Sequence, residues 1–195
     1  MKHTDFPFSF GELYVKLNLS QFVLRSICVD NITLIGMPGS GKSTVGVLLA
    51  KALGYNFLDL DLLIQQREGM LLQDILDEHG VERFLDKEAE TICSVECSRT
   101  VLAPGGSVVC REDGMAHLKG LGPVVYLRVP MDELNRRIKN LSSRGIAMNP
   151  GESLADVMAF RAPLYEKYAD LTVDVLPEQE LGHTMLEVLR CLRER

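Results

Sequence analysis

Residues 29–53 read VDNITLIGMPGSGKSTVGVLLAKAL, and three kinds of local structure follow one another within them. Val29–Ile35 is a short apolar run ended by glycine, the pattern of a buried strand. Gly36-Met37-Pro38-Gly39-Ser40-Gly41-Lys42-Ser43 fits the spacing G-x-x-x-x-G-K-[ST] in full. From Lys42 to Leu53 apolar residues recur at helical intervals, and Gly54 supplies the stop. Strand, loop and helix in this register make a phosphate-binding loop. Its glycines let backbone N–H groups converge on phosphate oxygens, and the helix adds the positive end of its dipole. Lys42 is then expected to reach the β- and γ-phosphates and the Ser43 hydroxyl to ligate Mg²⁺. Thr44 completes the expected nucleotide-binding set of Gly36, Pro38, Gly39, Ser40, Gly41, Lys42 and Ser43. The loop alone leaves GTPases, ATPases and kinases open.

Further short strands are expected at 56–61, 100–103, 123–129 and 171–175. Helical patterns fall at about 62–98, broken by Gly69 and Gly80, and at about 112–120, 132–140, 153–168 and 178–193. Alternation of strand and helix predicts an α/β fold with a five-stranded, mostly parallel sheet. The segment 141–152, LSSRGIAMNPGE, is too irregular to join either neighbouring helix and is expected to be a mobile lid. Residues 1–28 hold four of the seven phenylalanines and read as an extension, partly disordered or packed on the domain 29–195.

Two more features narrow the class. Phe57-Leu58-Asp59-Leu60-Asp61 places acidic residues two apart at a strand's C-terminal end, where alternation predicts that both carboxylates face one side. One can support Mg²⁺ through water while the other meets an acceptor hydroxyl. Pro104-Gly105-Gly106-Ser107 follows an apolar strand, and adjacent glycines there allow close backbone approach to a ligand. No guanine-reading [NT]-K-x-D segment is present, which disfavours a GTPase.

From residue 31 to about 175 these features together resemble the shikimate kinases. The resemblance rests on the GMPGSGKST loop, FLDLD, FLDKE at 84–88, VLAPGGSVV, the arginine-bearing lid and RAPLYEKYAD at 161–170. It implies a P-loop kinase fold, ATP and Mg²⁺ as cofactors, and catalysis through Lys42, Asp61 and Arg144. Asp59 with Ser43 would serve Mg²⁺, and Asp61 would contact the acceptor hydroxyls. Gly105 and Gly106 would line the acceptor site, Arg161 would pair with the acceptor carboxylate, and Arg137 would stack on adenine. A planar guanidinium suits forked contact with carboxylate or phosphate as well as stacking.

The departures lie on the acceptor side. Family members usually carry F-R-x-x-E where this chain has Phe84-Leu85-Asp86-Lys87-Glu88, so Leu85 stands in the place of an arginine that contacts shikimate. Ser107 replaces a third glycine, Pro104 a usual threonine, and the lid reads Ser-Arg-Gly-Ile. The expected reaction is phosphorylation of a hydroxyl on a small anionic metabolite, shikimate in first place. A different hydroxy-acid, polyol or amino-alcohol acceptor stays open, as does a nucleotide-binding protein of this fold without catalysis.

Composition sets the outer bounds. With 21 Lys and Arg against 27 Asp and Glu, the net charge of −6 gives no general attraction to nucleic acid. No apolar run reaches the ~20 residues of a membrane span, and the first 30 residues do not read as a signal peptide. Five scattered cysteines suggest free thiols in a reducing cytoplasm rather than a disulfide framework. A cytoplasmic monomer acting on a small-molecule acceptor, without nucleic-acid or membrane partners, is the expectation.

Overall fold

Every residue of strands β1 (Asn31–Ile35) and β3 (Thr100–Ala103) is buried, which requires cover on both faces of the sheet. The structure, a computed structural model, describes residues 29–138, 145–149, 151–177 and 180–195. The N-terminal extension and Arg144 lie outside them. The remaining strands are β2 (Asn56–Asp59), β4 (Val124–Arg128) and β5 (Leu171–Asp174). All pairings are parallel, in the order β2-β3-β1-β4-β5. The apolar runs read from the sequence are therefore inner strands, while the outer β2 and β5 are partly exposed.

The helices are α1 (Lys42–Leu53), α2 (Leu60–Glu68), α3 (Leu72–Cys93), α4 (Glu112–Leu121), α5 (Met131–Arg137), α6 (Leu154–Tyr168) and α7 (Leu181–Arg193). A 3-10 turn covers Val108–Cys110. Helix α1 packs on α7 and on β1 to β3, whereas α4 contacts β1 and α6 contacts β4. Gly69 ends α2 with φ 67°, and Gly80 breaks the helical path inside α3 with φ 75° and ψ 170°. Both were expected as punctuation. The motif ending in Asp170 proves structural at its last residue. Its carboxylate accepts from Val124 N at 2.8 Å and Lys119 Nζ at 3.0 Å, tying β4, β5 and α4 together.

One expectation is corrected. Strand β2 stops at Asp59, so strand alternation does not pair Asp59 with Asp61. Asp59 is the N-cap of α2, its Oδ1 accepting from Asp61 N at 3.1 Å and Leu62 N at 3.4 Å, and Asp61 sits in the helix's first turn. A cap side chain satisfying two free helix donors explains why an aspartate stands there.

A small second core lies apart from the main one. Ile64, Leu72, Ile75, Leu76, Phe84 and Leu85 close around Ala147 from the segment 145–149. Gly145 approaches α3 closely, since a Cβ there would lie 2.4 Å from Leu72 Cβ. No described helix is long and apolar enough to cross a membrane.

Candidate active site

The C-terminal ends of β1, β2 and β3 open onto a cavity of about 590 Å³. The phosphate loop forms one wall. Lys42, the first residue of α1, is buried, and its Nζ donates to the carbonyls of Gly36 (2.9 Å) and Met37 (3.1 Å). Burial lowers its pKa to about 8, against the opposing pull of Asp61, Asp59 and Glu88. The neighbouring Ser43 donates from Oγ to Asp59 Oδ2 at 2.8 Å. The two residues expected at the metal are thus in contact.

The wall facing the phosphate loop brings together residues far apart in sequence. Asp61, Gly105, Gly106 and Arg161 all line the same cavity as Lys42. Burial raises the Asp61 pKa to about 6, and the Lys42 ammonium limits the rise. The glycine pair is required by close approach. A Cβ on Gly105 would lie 2.6 Å from Glu88 Oε1 and 2.7 Å from Asp61 Oδ1, and one on Gly106 would lie 2.6 Å from Pro38 Cδ. Arg161 lies two turns into α6, whose start is fixed by reciprocal hydrogen bonds between Ser153 and Asp156. Its guanidinium is buried. Nη2 donates to the Ala147 carbonyl, whereas Nε and Nη1 have no hydrogen-bond partner among the described residues. Tyr165, one turn further, is buried, donates to the Gly106 carbonyl and stacks on Tyr126.

Arg137 borders the phosphate loop. Its Nε pairs with Glu133 at 2.7 Å, and Nη1 lies 3.4 Å from the Ser40 carbonyl, pinning the guanidinium against the phosphate loop. Arg136 shares Glu133 at 2.8 Å, and the two arginines hold that carboxyl well below the usual range. Arg144 cannot be placed among the described residues.

Leu85 is buried in the small core. Neither neighbour replaces the expected arginine. Lys87 is ion-paired with Glu68, Arg83 is exposed, and neither lines the cavity. Glu88, by contrast, is a buried acid to which the sequence motifs give no role. Its Oε1 lacks a partner among the described residues, and burial together with Asp61 raises its pKa to about 8 despite a Ser107 hydrogen bond. The signal was available. Phe84, Leu85, Glu88, Ala89 and Ile92 share one buried helix face, and an acid among them is out of place unless it serves a site. Arg136 and Leu181 also line the cavity without a sequence signal.

A phosphate loop opening α1, an acid at the β2–α2 junction and a buried arginine facing them define a P-loop small-molecule kinase. A family profile described as shikimate kinase matches residues 38–192. The chain is 40% identical over 164 residues to the shikimate kinase of Thermodesulfovibrio yellowstonii, covering 82% of this chain and 94% of that protein. It is 37% identical over 165 residues to Threonine synthase-like 1 of Mus musculus, covering 82% of this chain but 22% of that protein. Its structure is similar to that of the shikimate kinase from Acinetobacter baumannii in complex with shikimate. The TM-score is 0.77 and the identity 28%, over 86% of this chain and 95% of that one. The chain belongs to the shikimate kinase family.

Proposed function

We propose that this chain transfers the γ-phosphoryl group of ATP to a hydroxyl of a small carboxylated alcohol, shikimate being the acceptor that family membership favours. The observation that carries this reading is the convergence of Lys42, Asp61 and Arg161 on one cavity. Lys42 meets the charge of the transferring group. Asp61, ionised above about pH 6, orients the acceptor hydroxyl and takes its proton. Arg161 anchors the acceptor carboxylate, so that the hydroxyl is held in line. Arg137 borders the nucleotide, and Arg144 keeps the phosphoryl-clamping role that the family resemblance gives it.

The donor set at Ser43 and Asp59 fits Mg²⁺. One hydroxyl and one carboxylate 2.8 Å apart, with no cluster of three or more His, Cys, Asp or Glu among the described residues, suit an ion that completes its shell with phosphate and water. When bound, Mg²⁺ neutralises charge on the phosphate oxygens. The proposal includes a cytoplasmic monomer.

Coupled measurement of ADP formation over a panel of hydroxylated metabolites tests the reading. Magnesium-dependent turnover stimulated by shikimate is expected, and ATP binding without stimulation by any acceptor would refute it. A second reading, an acceptor other than shikimate, is favoured by Leu85. That side chain contributes no charge to the acceptor side, and among the described residues the cations lining the cavity besides Arg161 are Lys42 and Arg137, both bonded to the phosphate loop, and Arg136.

A further inference from the structure

Two buried groups of opposite kind share one neighbourhood without pairing. Arg161, on α6, is 5% exposed, and its Nε and Nη1 lack partners among the described residues. Glu88, on α3, is 2% exposed, and its Oε1 lacks one as well. Glu88 Oε1 and Asp61 Oδ1 crowd Gly105, 2.6 and 2.7 Å from where a Cβ would stand. Around Glu88 stand Lys42 from α1, Asp61 from α2, Cys110 from the 3-10 turn, and Arg161 and Tyr165 from α6. Helix α4 meets this part of α3 through Gly114, against Ala89 and Ile92. Two departures from the family pattern converge here. Leu85, one turn before Glu88, takes the place of an arginine that could pair with it, and Ser107, standing for a glycine, hydrogen-bonds the carboxyl instead. A buried carboxylate close to a buried guanidinium pairs with it, because each is otherwise uncompensated. Glu88 and Arg161 do not pair, which is the state of a carboxyl that keeps its proton. Burial and Asp61 act in that direction, raising the Glu88 pKa to about 8 against Ser107, Arg161 and Lys42.

We propose that Glu88 is a positioning residue for acceptor binding: neutral, it leaves the Arg161 guanidinium to the acceptor carboxylate, and ionised, it takes that guanidinium for itself. Glu88 does not line the cavity, so it acts through Arg161 rather than on the acceptor. An ionised Glu88 and an acceptor carboxylate are rivals for the same two nitrogens, Nε and Nη1, because Nη2 is already given to the Ala147 carbonyl. An arginine at position 85 would supply Glu88 with a cation of its own. With leucine there, the described cations acting on Glu88 are Arg161 and Lys42, and Lys42 is held by the Gly36 and Met37 carbonyls. The Glu88 proton must therefore be present for Arg161 to be free, and an acceptor acid that binds while Glu88 is ionised must bring that proton back. The inference rests on the proposed role of Arg161 toward an acceptor carboxylate.

The test uses the full chain with a non-hydrolysable ATP analogue bound, whose phosphates keep Lys42 charged. The probes are shikimate and its primary amide, which lacks the negative charge. Binding is measured by calorimetry in buffers of different ionisation heat, and turnover by ADP release. Shikimate is expected to bind about tenfold more weakly at about pH 9 than at about pH 7, and to take up protons as it binds at the alkaline end. The amide should bind more weakly than the acid at about pH 7 and show no such pH dependence. Glu88→Gln, of the same size and permanently neutral, should abolish both the alkaline weakening and the proton uptake, neither of which a purely structural side chain would control. If that variant fails to fold, the contrast between acid and amide on the wild type decides. Shikimate binding that is equal at both pH values, or an alkaline weakening that the amide shares or the variant keeps, overturns the proposal. Turnover separates it from the kinase reading. Shikimate-stimulated turnover with pH-independent binding defeats the inference alone, whereas the expected binding pattern without turnover on any acceptor supports it and defeats the kinase reading. Acid and amide binding alike at about pH 7 defeats the role of Arg161 and the inference with it.

Discussion

The Ser43 hydroxyl donates to Asp59 Oδ2 at 2.8 Å, so the first turn of α1 is joined to the cap of α2. Asp59 serves both ends of this link, since its other oxygen holds the backbone N–H groups of Asp61 and Leu62. A change at Asp59 should therefore affect fold and chemistry separately. Asp59→Asn retains a good cap and should lower turnover while raising the magnesium concentration needed. Asp59→Ala should lose in addition about 1 kcal/mol of stability. Thermal melts beside magnesium titrations of both variants check this, and equal stability of the two would remove the capping role.

Lys42→Ala should reduce turnover by about 10²–10³-fold or more while the protein still folds, because the lost cation meets the reacting phosphate. The Lys42 side chain reaches two loop carbonyls rather than the apolar core, so no large cavity follows. Full turnover in a folded variant would end the kinase proposal.

The pH profile should be bell-shaped. Asp61 must be ionised to take a proton, so the rate should rise through about pH 6. Lys42 must be protonated, so the rate should fall above about pH 8. Asp61→Asn should flatten the acid limb along with most of the activity. A wild-type limb at ordinary carboxylate pH would contradict the environment described for Asp61.

Stability carries a separate pH signature from Glu88. Its pKa is raised from 4.5 to about 8 by burial and by Asp61, so the folded state holds this proton more tightly than the unfolded chain. The resulting stabilisation is full below about pH 4.5 and is lost as pH rises through about 8. Glu88→Gln removes the titrating group, and the gap in melting temperature between variant and wild type should move in the variant's favour between those limits. A gap independent of pH would place a well-paired carboxylate at Glu88.

Leu85→Arg tests the acceptor. An arginine at this position would have Glu88 one turn along the helix as a partner and would stand by Arg161 for a forked contact. Its KM for shikimate should fall roughly tenfold or more, corresponding to about 1.5–3 kcal/mol. Loss of stability with unchanged shikimate kinetics would instead assign Leu85 to the small core alone.

By itself the sequence determined what is encoded locally. The 29–53 stretch specified strand, phosphate loop and helix, because glycine spacing and apolar periodicity act over a few residues. Alternation of apolar runs with helical patterns specified five parallel strands in the same way. Tertiary structure decided the rest. Asp59 and Asp61 share a site through a helix cap rather than strand alternation, a distinction that depends on where β2 stops. Glu88 belongs with Asp61 only because α3, packed against α4 and the 3-10 turn, brings it to Gly105. The unpaired nitrogens of Arg161 exist only once α3, α6 and the segment 145–149 pack together. Burial and pairing are relations between distant segments, and no window of sequence contains both partners.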